Sequence, residues 1–245
     1  MELGKHAKQV YLSTRRGAWV VSRVGPGGVP GDMVFITRFN NSLPLSVKNQ
    51  AVANGCNKRF CHESYGLRPK HLPLSQHPMI NDALPHRILT GLVVVKPNVT
   101  QLTVDGVEFE DGSTVENVDI VIFCTGYDMR FPYLEIEEEI LHENKVNLYK
   151  YVFPTFLKQH TLAVIGNIQP VGAVNPISEL QARWACGVFG KKLKLPSKSD
   201  MESDVLLKRE AMKKRYYSTK RQTVQVMCSY TYCIKVIIIN LFIII

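Results

Sequence analysis

Arg15 and Arg16 stand at the end of Gln9-Val10-Tyr11-Leu12-Ser13-Thr14, where polar and apolar residues alternate. The alternation predicts a half-buried strand over 9–14. Two guanidinium forks at a strand end, beside the Thr14 hydroxyl, can hold a phosphomonoester, or they are the solvated end of that strand. A second such position is Cys124-Thr125-Gly126-Tyr127. Ile120, Val121, Ile122 and Phe123 before it predict a strand over 119–124 covered on both faces, and Gly126 supplies a turn where backbone can approach a ligand closely. Thr125 offers a hydroxyl there, to the backbone or to a bound group. A third is Asn175-Pro176, an N-cap and a first helical residue, which predict a helix running through Trp184. Its start offers N–H donors to an electron-rich edge, with Gln169, Asn175 and Gln181 around it. Burial of Leu180 and Trp184 on one face is compatible with that role.

Metal chemistry has less support. Cys56, Cys61, Cys124, Cys186, Cys228 and Cys233 show no Cys-x-x-Cys spacing, and Cys56 with Cys61-His62 makes at most half of a tetrahedral zinc site. They read as free buried thiols. His62, His71, His77 and His86 share no ligand spacing and read as loop or surface histidines. Asn81-Asp82 reads as an Asx turn.

The elements that must position these residues follow from pattern. Residues 25–91 are irregular, rich in Pro, Asn and His, with little periodicity. Asp105-Gly106 and Asp111-Gly112 predict hairpin turns in a small β-meander from 92 to 115. Residues 161–166 read as a further apolar strand. Ser199 and Glu202 suggest a capping box opening a helix with Val205, Met212 and Tyr216 on its apolar stripe. That helix carries the charge: between 191 and 221 lie eleven basic and four acidic residues, +7 of the chain's +9. A solvated face on a packed helix, or an anionic membrane surface, accounts for it. Nucleic acid is excluded, because aromatic and basic residues do not interleave in a binding motif. From Ile234 to Ile245 eight residues are Ile or Val, too short a run to span a bilayer, which takes about twenty.

Several strings resemble, in order, the flavin-containing monooxygenases: Gln9 through Trp19, Tyr65-Gly66-Leu67-Arg68-Pro69-Lys70, Phe109-Glu110-Asp111-Gly112-Ser113, Phe123-Cys124-Thr125-Gly126-Tyr127, Ile165-Gly166 and Pro176 through Gln181. Cys124 stands where that family has alanine. The resemblance covers 1–226 and weakens over 40–57. It implies an α/β chain, a partial two-dinucleotide-binding-domain flavoprotein of the FAD/NAD(P)-binding Rossmann-like type. Residues 1–124 would be the remainder of the NADPH-binding domain, with a long insertion at 25–91. Residues 125–192 would return to the FAD-binding domain, 193–226 form a basic helical arm, and 227–245 an apolar tail foreign to the family, translated from non-coding sequence.

The resemblance also implies roles. Thr14, Arg15 and Arg16 would select NADP through its 2′-phosphate, Thr125 and Gly126 would line the crossing between domains, and Gln169, Asn175 and Gln181 would lie nearest the flavin. Asn81 and Asp82 would sit near the route to it. The chemistry implied is NADPH-driven, O₂-dependent oxygenation of an amine or sulfide, at the cytosolic face of the endoplasmic reticulum membrane. Against it stands the missing Gly-x-Gly-x-x-Gly turn: Gly25-Pro26-Gly27-Gly28 lacks the spacing. By the resemblance, the FAD-binding segment and the first strand, turn and helix of the NADPH domain would be absent, with Met1 falling near the end of that lost helix. The expectation is a marginally stable chain that does not turn over alone. The competing expectation is a non-catalytic truncated isoform that associates with a full-length homologue or a membrane surface.

Overall fold

A computed structural model describes residues 2–142, 145–170, 173–217 and 225–226. Contacts divide the chain into two compact units, 1–126 and 127–245.

In the first unit the predicted strand forms as β1 (Val10–Ser13). Then come β2 (Val20–Val21), α1 (Gly31–Phe35), α2 (Arg38–Ser42), α3 (Leu45–Arg59), β3 (Met79–Ile80), α4 (Leu84–Leu89) and β4 (Val93–Lys96). β1 pairs in parallel with β4, Val10 beside Val93, and β2 pairs in parallel with β3. The predicted meander forms over part of its range, as β5 (Val99–Leu102), β6 (Val107–Phe109) and β7 (Thr114–Val115), joined antiparallel at the two Asp-Gly turns, whereas 93–96, expected within it, pairs with β1 instead. Residues 25–91 are more helical than their composition suggests. α3 has almost no amphipathic pattern and buries only Asn49 and Cys56, so periodicity could not announce it. The core is small: Val20, Phe60, Leu67, Leu84 and Val93.

His62 belongs to this core, not to the surface. It is 2% exposed, stacked on Phe60 with ring centroids 4.3 Å apart. Its Nε2 accepts the Val20 N–H (3.1 Å), so Nδ1 carries the proton toward Asn57 Oδ1 (2.9 Å). The neutral ring is thus the one the fold accommodates, and burial lowers its pKa from 6.5. A depressed folded-state pKa means the unfolded chain takes the proton more readily. The stability from neutral His62 is therefore complete above the unfolded pKa and lost as pH falls below it. Urea midpoints of the first unit are expected to fall between pH 7.5 and pH 5.5, and to fall less in His62→Gln; equal slopes in both proteins would refute this.

The largest departure lies at 119–124. No strand forms, no backbone hydrogen bond among the described residues involves 119–126, and Ile120 (75%) and Phe123 (71%) are exposed. A run of four apolar residues signals a strand that neighbours cover on both faces, and within this chain no described strand pairs with it. The same reason applies to 161–166, also without strand pairing; Leu162, Ala163 and Val164 only lean on the second core.

The second unit contains α5 (Glu137–Ile140), β8 (Leu141–His142), β9 (Lys145–Val146), β10 (Leu148–Tyr149), β11 (Phe153–Pro154), β12 (Gln169–Pro170), α6 (Asn175–Phe189), α7 (Lys198–Arg215) and β13 (Gln225–Val226). β8–β9 and β10–β11 are antiparallel hairpins, and β12 pairs in parallel with β13. Trp184 (1% exposed) is the centre of its core, edge-on to Phe153 and Tyr149 at 4.9 and 5.8 Å. α7 buries Met201 as well as the predicted Val205, Met212 and Tyr216. It starts two residues earlier than the suggested box: Ser197 takes the N-cap position in a non-helical conformation, and its Oγ accepts the Asp200 N–H. The apolar tail from 227 lies outside the described residues.

Candidate functional site

β1 delivers Thr14, Arg15 and Arg16 to the end of a parallel strand pair. The Thr14 N–H donates to Lys96 O (3.1 Å), closing the β1–β4 ladder there. Arg15 is exposed and Arg16 half-buried. The chain then turns at Gly17, whose φ is +70°. A Cβ at Gly17 would stand 2.3 Å from Arg68 O and 2.6 Å from Leu67 O, so only glycine lets 15–18 lie on 67–70. Lys70 N–H donates to Arg16 O, and Ala18 N–H to Leu67 O, both at 3.0 Å. Trp19 Nε1 fixes the next step through His71 O (2.8 Å).

This contact gathers Arg68 and Lys70, which spacing alone did not mark, beside the arginine pair. Their signal was present in Tyr65-Gly66-Leu67-Arg68-Pro69-Lys70, but the partner lies some fifty positions away. Arg68 spends part of its charge on Glu63 (2.7 Å), an exposed pair of little worth. A shallow cavity of about 630 Å³ opens alongside, lined by Trp19, Asn57, Cys61, His62, Arg68 and Lys70 among others. Hydrogen bonds from Ser64 and Glu63 hold the Cys61 thiol below its usual range. Not all the thiols are buried as expected: Cys56 is, whereas Cys61, Cys124 and Cys186 are exposed. Among the described residues, no three His, Cys, Asp or Glu side chains gather to hold a metal.

Thr125 and Gly126 are exposed, with Gly126 at φ +98°. In the second unit, Gln169 opens β12 and is half-buried. Asn175 is exposed and is the first residue of α6; Val174 takes the cap position, so the predicted N-cap is displaced by one. Gln181 is fully buried, and its Oε1 accepts the Gly166 N–H (2.9 Å). Gly166, at φ +79°, rests against Ser178. Gln181 therefore fastens the turn that leads into Gln169 to the inner face of α6. Asn81 makes the Asx turn expected of it, accepting the Ala83 and Leu84 N–H groups, and Asp82 accepts from Ser22 and Arg23.

A parallel strand pair ending in paired arginines, and a second unit in which α6 buries Ile177, Trp184 and Val188, fit the α/β FAD/NAD(P)-binding class of fold. The model of the flavin-binding monooxygenase-like family matches residues 1–241, and the chain belongs to that family. The match runs past Val226, where the resemblance in motifs stops. Flavin-containing monooxygenase 5 of Rattus norvegicus is 50% identical over 229 residues, covering 92% of this chain and 43% of the relative. Dimethylaniline monooxygenase [N-oxide-forming] 2 of Oryctolagus cuniculus is 45% identical over 214 residues, covering 86% and 40%. The chain thus spans about two fifths of the length of these curated relatives. Among solved structures, S-allyl-L-cysteine S-oxygenase from Allium sativum aligns with a TM-score of 0.49 at 30% identity, over 59% of this chain and 33% of that one.

Proposed function

We propose that the chain is the NADP-selecting and ring-facing part of a flavin-dependent monooxygenase. In its whole form the enzyme would use NADPH and O₂ to oxygenate the nitrogen or sulfur of a small amine or sulfide, at the endoplasmic reticulum membrane. Alone, this chain does not turn over. The reading rests on the paired arginines at the end of β1, braced by 67–70, in a chain of this family. FAD, when bound, supplies the redox chemistry, and the protein binds, orients and shields. Thr14, Arg15 and Arg16 fit the phosphomonoester of NADP, through a hydroxyl and two guanidinium forks. A pyrophosphate has no matching glycine-rich turn in these 245 residues, so the fit is to the ends of the cofactors and not to their middles. Thr125 and Gly126 belong to the crossing segment, Gln169 and Asn175 face the flavin ring, and Gln181 positions the turn before Gln169. The domains are 1–124 for NADPH, 125–192 for FAD, 193–226 as a basic arm and 227–245 as a tail.

Calorimetric titration tests the nucleotide end directly. The chain is expected to prefer 2′,5′-ADP to 5′-AMP, and Arg15→Ala/Arg16→Ala is expected to weaken 2′,5′-ADP about tenfold or more, the worth of a lost charged hydrogen bond. Equal affinity for both nucleotides removes the selecting role. Purified chain is expected to be colourless and inert toward NADPH; a flavin spectrum with NADPH oxidation would overturn the inactivity.

The exposed 119–124 segment favours a second reading, in which the chain is a non-catalytic isoform that associates with a full-length homologue. A strand of that partner would cover Ile120, Ile122 and Phe123. Co-expression with a full-length relative is expected to give a complex that Ile122→Lys disrupts, and a complex unaffected by it would exclude this mode. Among the described residues no helix is long and apolar enough to cross a membrane.

A further inference from the structure

The outer face of α7 differs from what its composition suggests. Although the surrounding segment is strongly basic, part of that charge turns inward: the Lys208 ammonium lies over the Tyr151 ring, 3.4 Å from its centroid, and Arg209 and Arg215 are half-buried. One solvent-facing stripe of the helix, at helical spacing, carries Glu202, Leu206, Leu207, Glu210, Lys213 and Lys214. Its middle is apolar, with Leu206 56% and Leu207 67% exposed. Before the leucines lie Lys198, Asp200 and Glu202, also exposed, with Lys198 paired to Glu202 at 3.8 Å, and after them Glu210, Lys213 and Lys214. With Lys198 counted beside Asp200 and Glu202, and Glu210 beside Lys213 and Lys214, one net negative charge precedes the leucines and one net positive charge follows them, which neither a uniformly anionic surface nor nucleic acid matches.

We infer that this stripe is a self-association surface, on which α7 of a second copy of the chain packs antiparallel about a two-fold axis. With Leu206 against Leu207 of the other copy, Lys213 and Lys214 lie about 10 Å from the axis, seven residues at 1.5 Å each. Asp200 and Glu202 of the second copy lie at a similar distance on the same side. The apolar pair is thereby covered at the centre and bracketed by opposite charges at both ends. Parallel packing would set acid against acid and base against base, so charge pattern selects the antiparallel arrangement. The same patch meets itself, as a closed two-fold contact requires. One helix pair is smaller than the roughly 1,600 Å² of a standard interface, so the dimer is concentration-dependent.

Zero-length carbodiimide crosslinking followed by peptide mass analysis reads the geometry. Glu202 and Lys213 of one helix are about 16 Å apart, out of reach of a direct amide. A peptide joining Asp200 or Glu202 to Lys213 or Lys214 is therefore intermolecular, and it is the expected product. Sedimentation equilibrium is expected to show a monomer–dimer equilibrium that Leu206→Lys/Leu207→Lys weakens at least tenfold. Helix content should not change, since both leucines face solvent. Mixing Asp200→Lys/Glu202→Lys chains with Lys213→Glu/Lys214→Glu chains should restore association lost in each separately. Absence of that crosslink, a monomer at all concentrations, or undiminished dimerisation of the leucine variant overturns the proposal.

Discussion

Trp184→Ala is expected to cost the second unit about 3–5 kcal/mol, the range for removing a large aromatic from a packed core. The indole is 1% exposed, and it is the residue against which Phe153 and Tyr149 both set their ring edges. Alanine leaves a cavity bounded by a helix on one side and a tight hairpin on the other. Neither can collapse into it without losing its own hydrogen bonds. Because total stabilities are of the same order, the second unit is expected to be largely unfolded in this variant. The chain has two tryptophans, one in each unit, so Trp19 fluorescence reports the first unit while far-ultraviolet dichroism reports the loss of α6 and α7. A melting curve matching the parent's would show that Trp184 does not carry this core.

Gly17→Ala is the second large effect, and it acts through the candidate site. At φ +70° a side chain costs on the order of 1–2 kcal/mol, before any clash. The added methyl would then stand 2.3 and 2.6 Å from backbone atoms of Arg68 and Leu67, which cannot swing aside as a side-chain tip can. Strand end and loop must separate, breaking the hydrogen bonds at Arg16 O and Leu67 O. The expected result is loss of 2′,5′-ADP binding together with a lowered melting point of the first unit. Trp184 near-ultraviolet dichroism should be unchanged. Retained binding at wild-type affinity would mean that the arginines do not depend on this turn.

Local signals were legible where a segment carries its own reason to fold. Alternation announced β1, the Asp-Gly turns announced the meander, and Val205, Met212 and Tyr216 marked the buried side of α7. The site was half legible. Thr14, Arg15 and Arg16 were marked by their place at a strand end, but Arg68 and Lys70 reach them only through a backbone contact some fifty residues long. Nothing at Gly17 reveals that contact. His62 shows the same limit: a histidine's burial depends on who supplies Val20 and Asn57 beside it. The run 120–123 shows the opposite failure. Its pattern correctly reports what a strand there would need, and cannot report whether neighbours are at hand.

The turn between β10 and β11 places Lys150 (φ 49°) and Tyr151 (φ 60°) consecutively in the left-handed region, where bulky residues rarely sit. Each is held from α7: Lys150 pairs with Asp204, and Tyr151 lies beneath Lys208. Two consecutive left-handed residues are what a two-residue hairpin turn requires, and the Tyr151 and Val152 N–H groups close it on Leu148 O and Tyr149 O. Asparagine and glycine adopt that conformation at least cost, so contacts from a helix more than fifty residues downstream offset the strain that Lys150 and Tyr151 bring. Part of this turn's sequence is thus chosen for α7 and not for the turn itself.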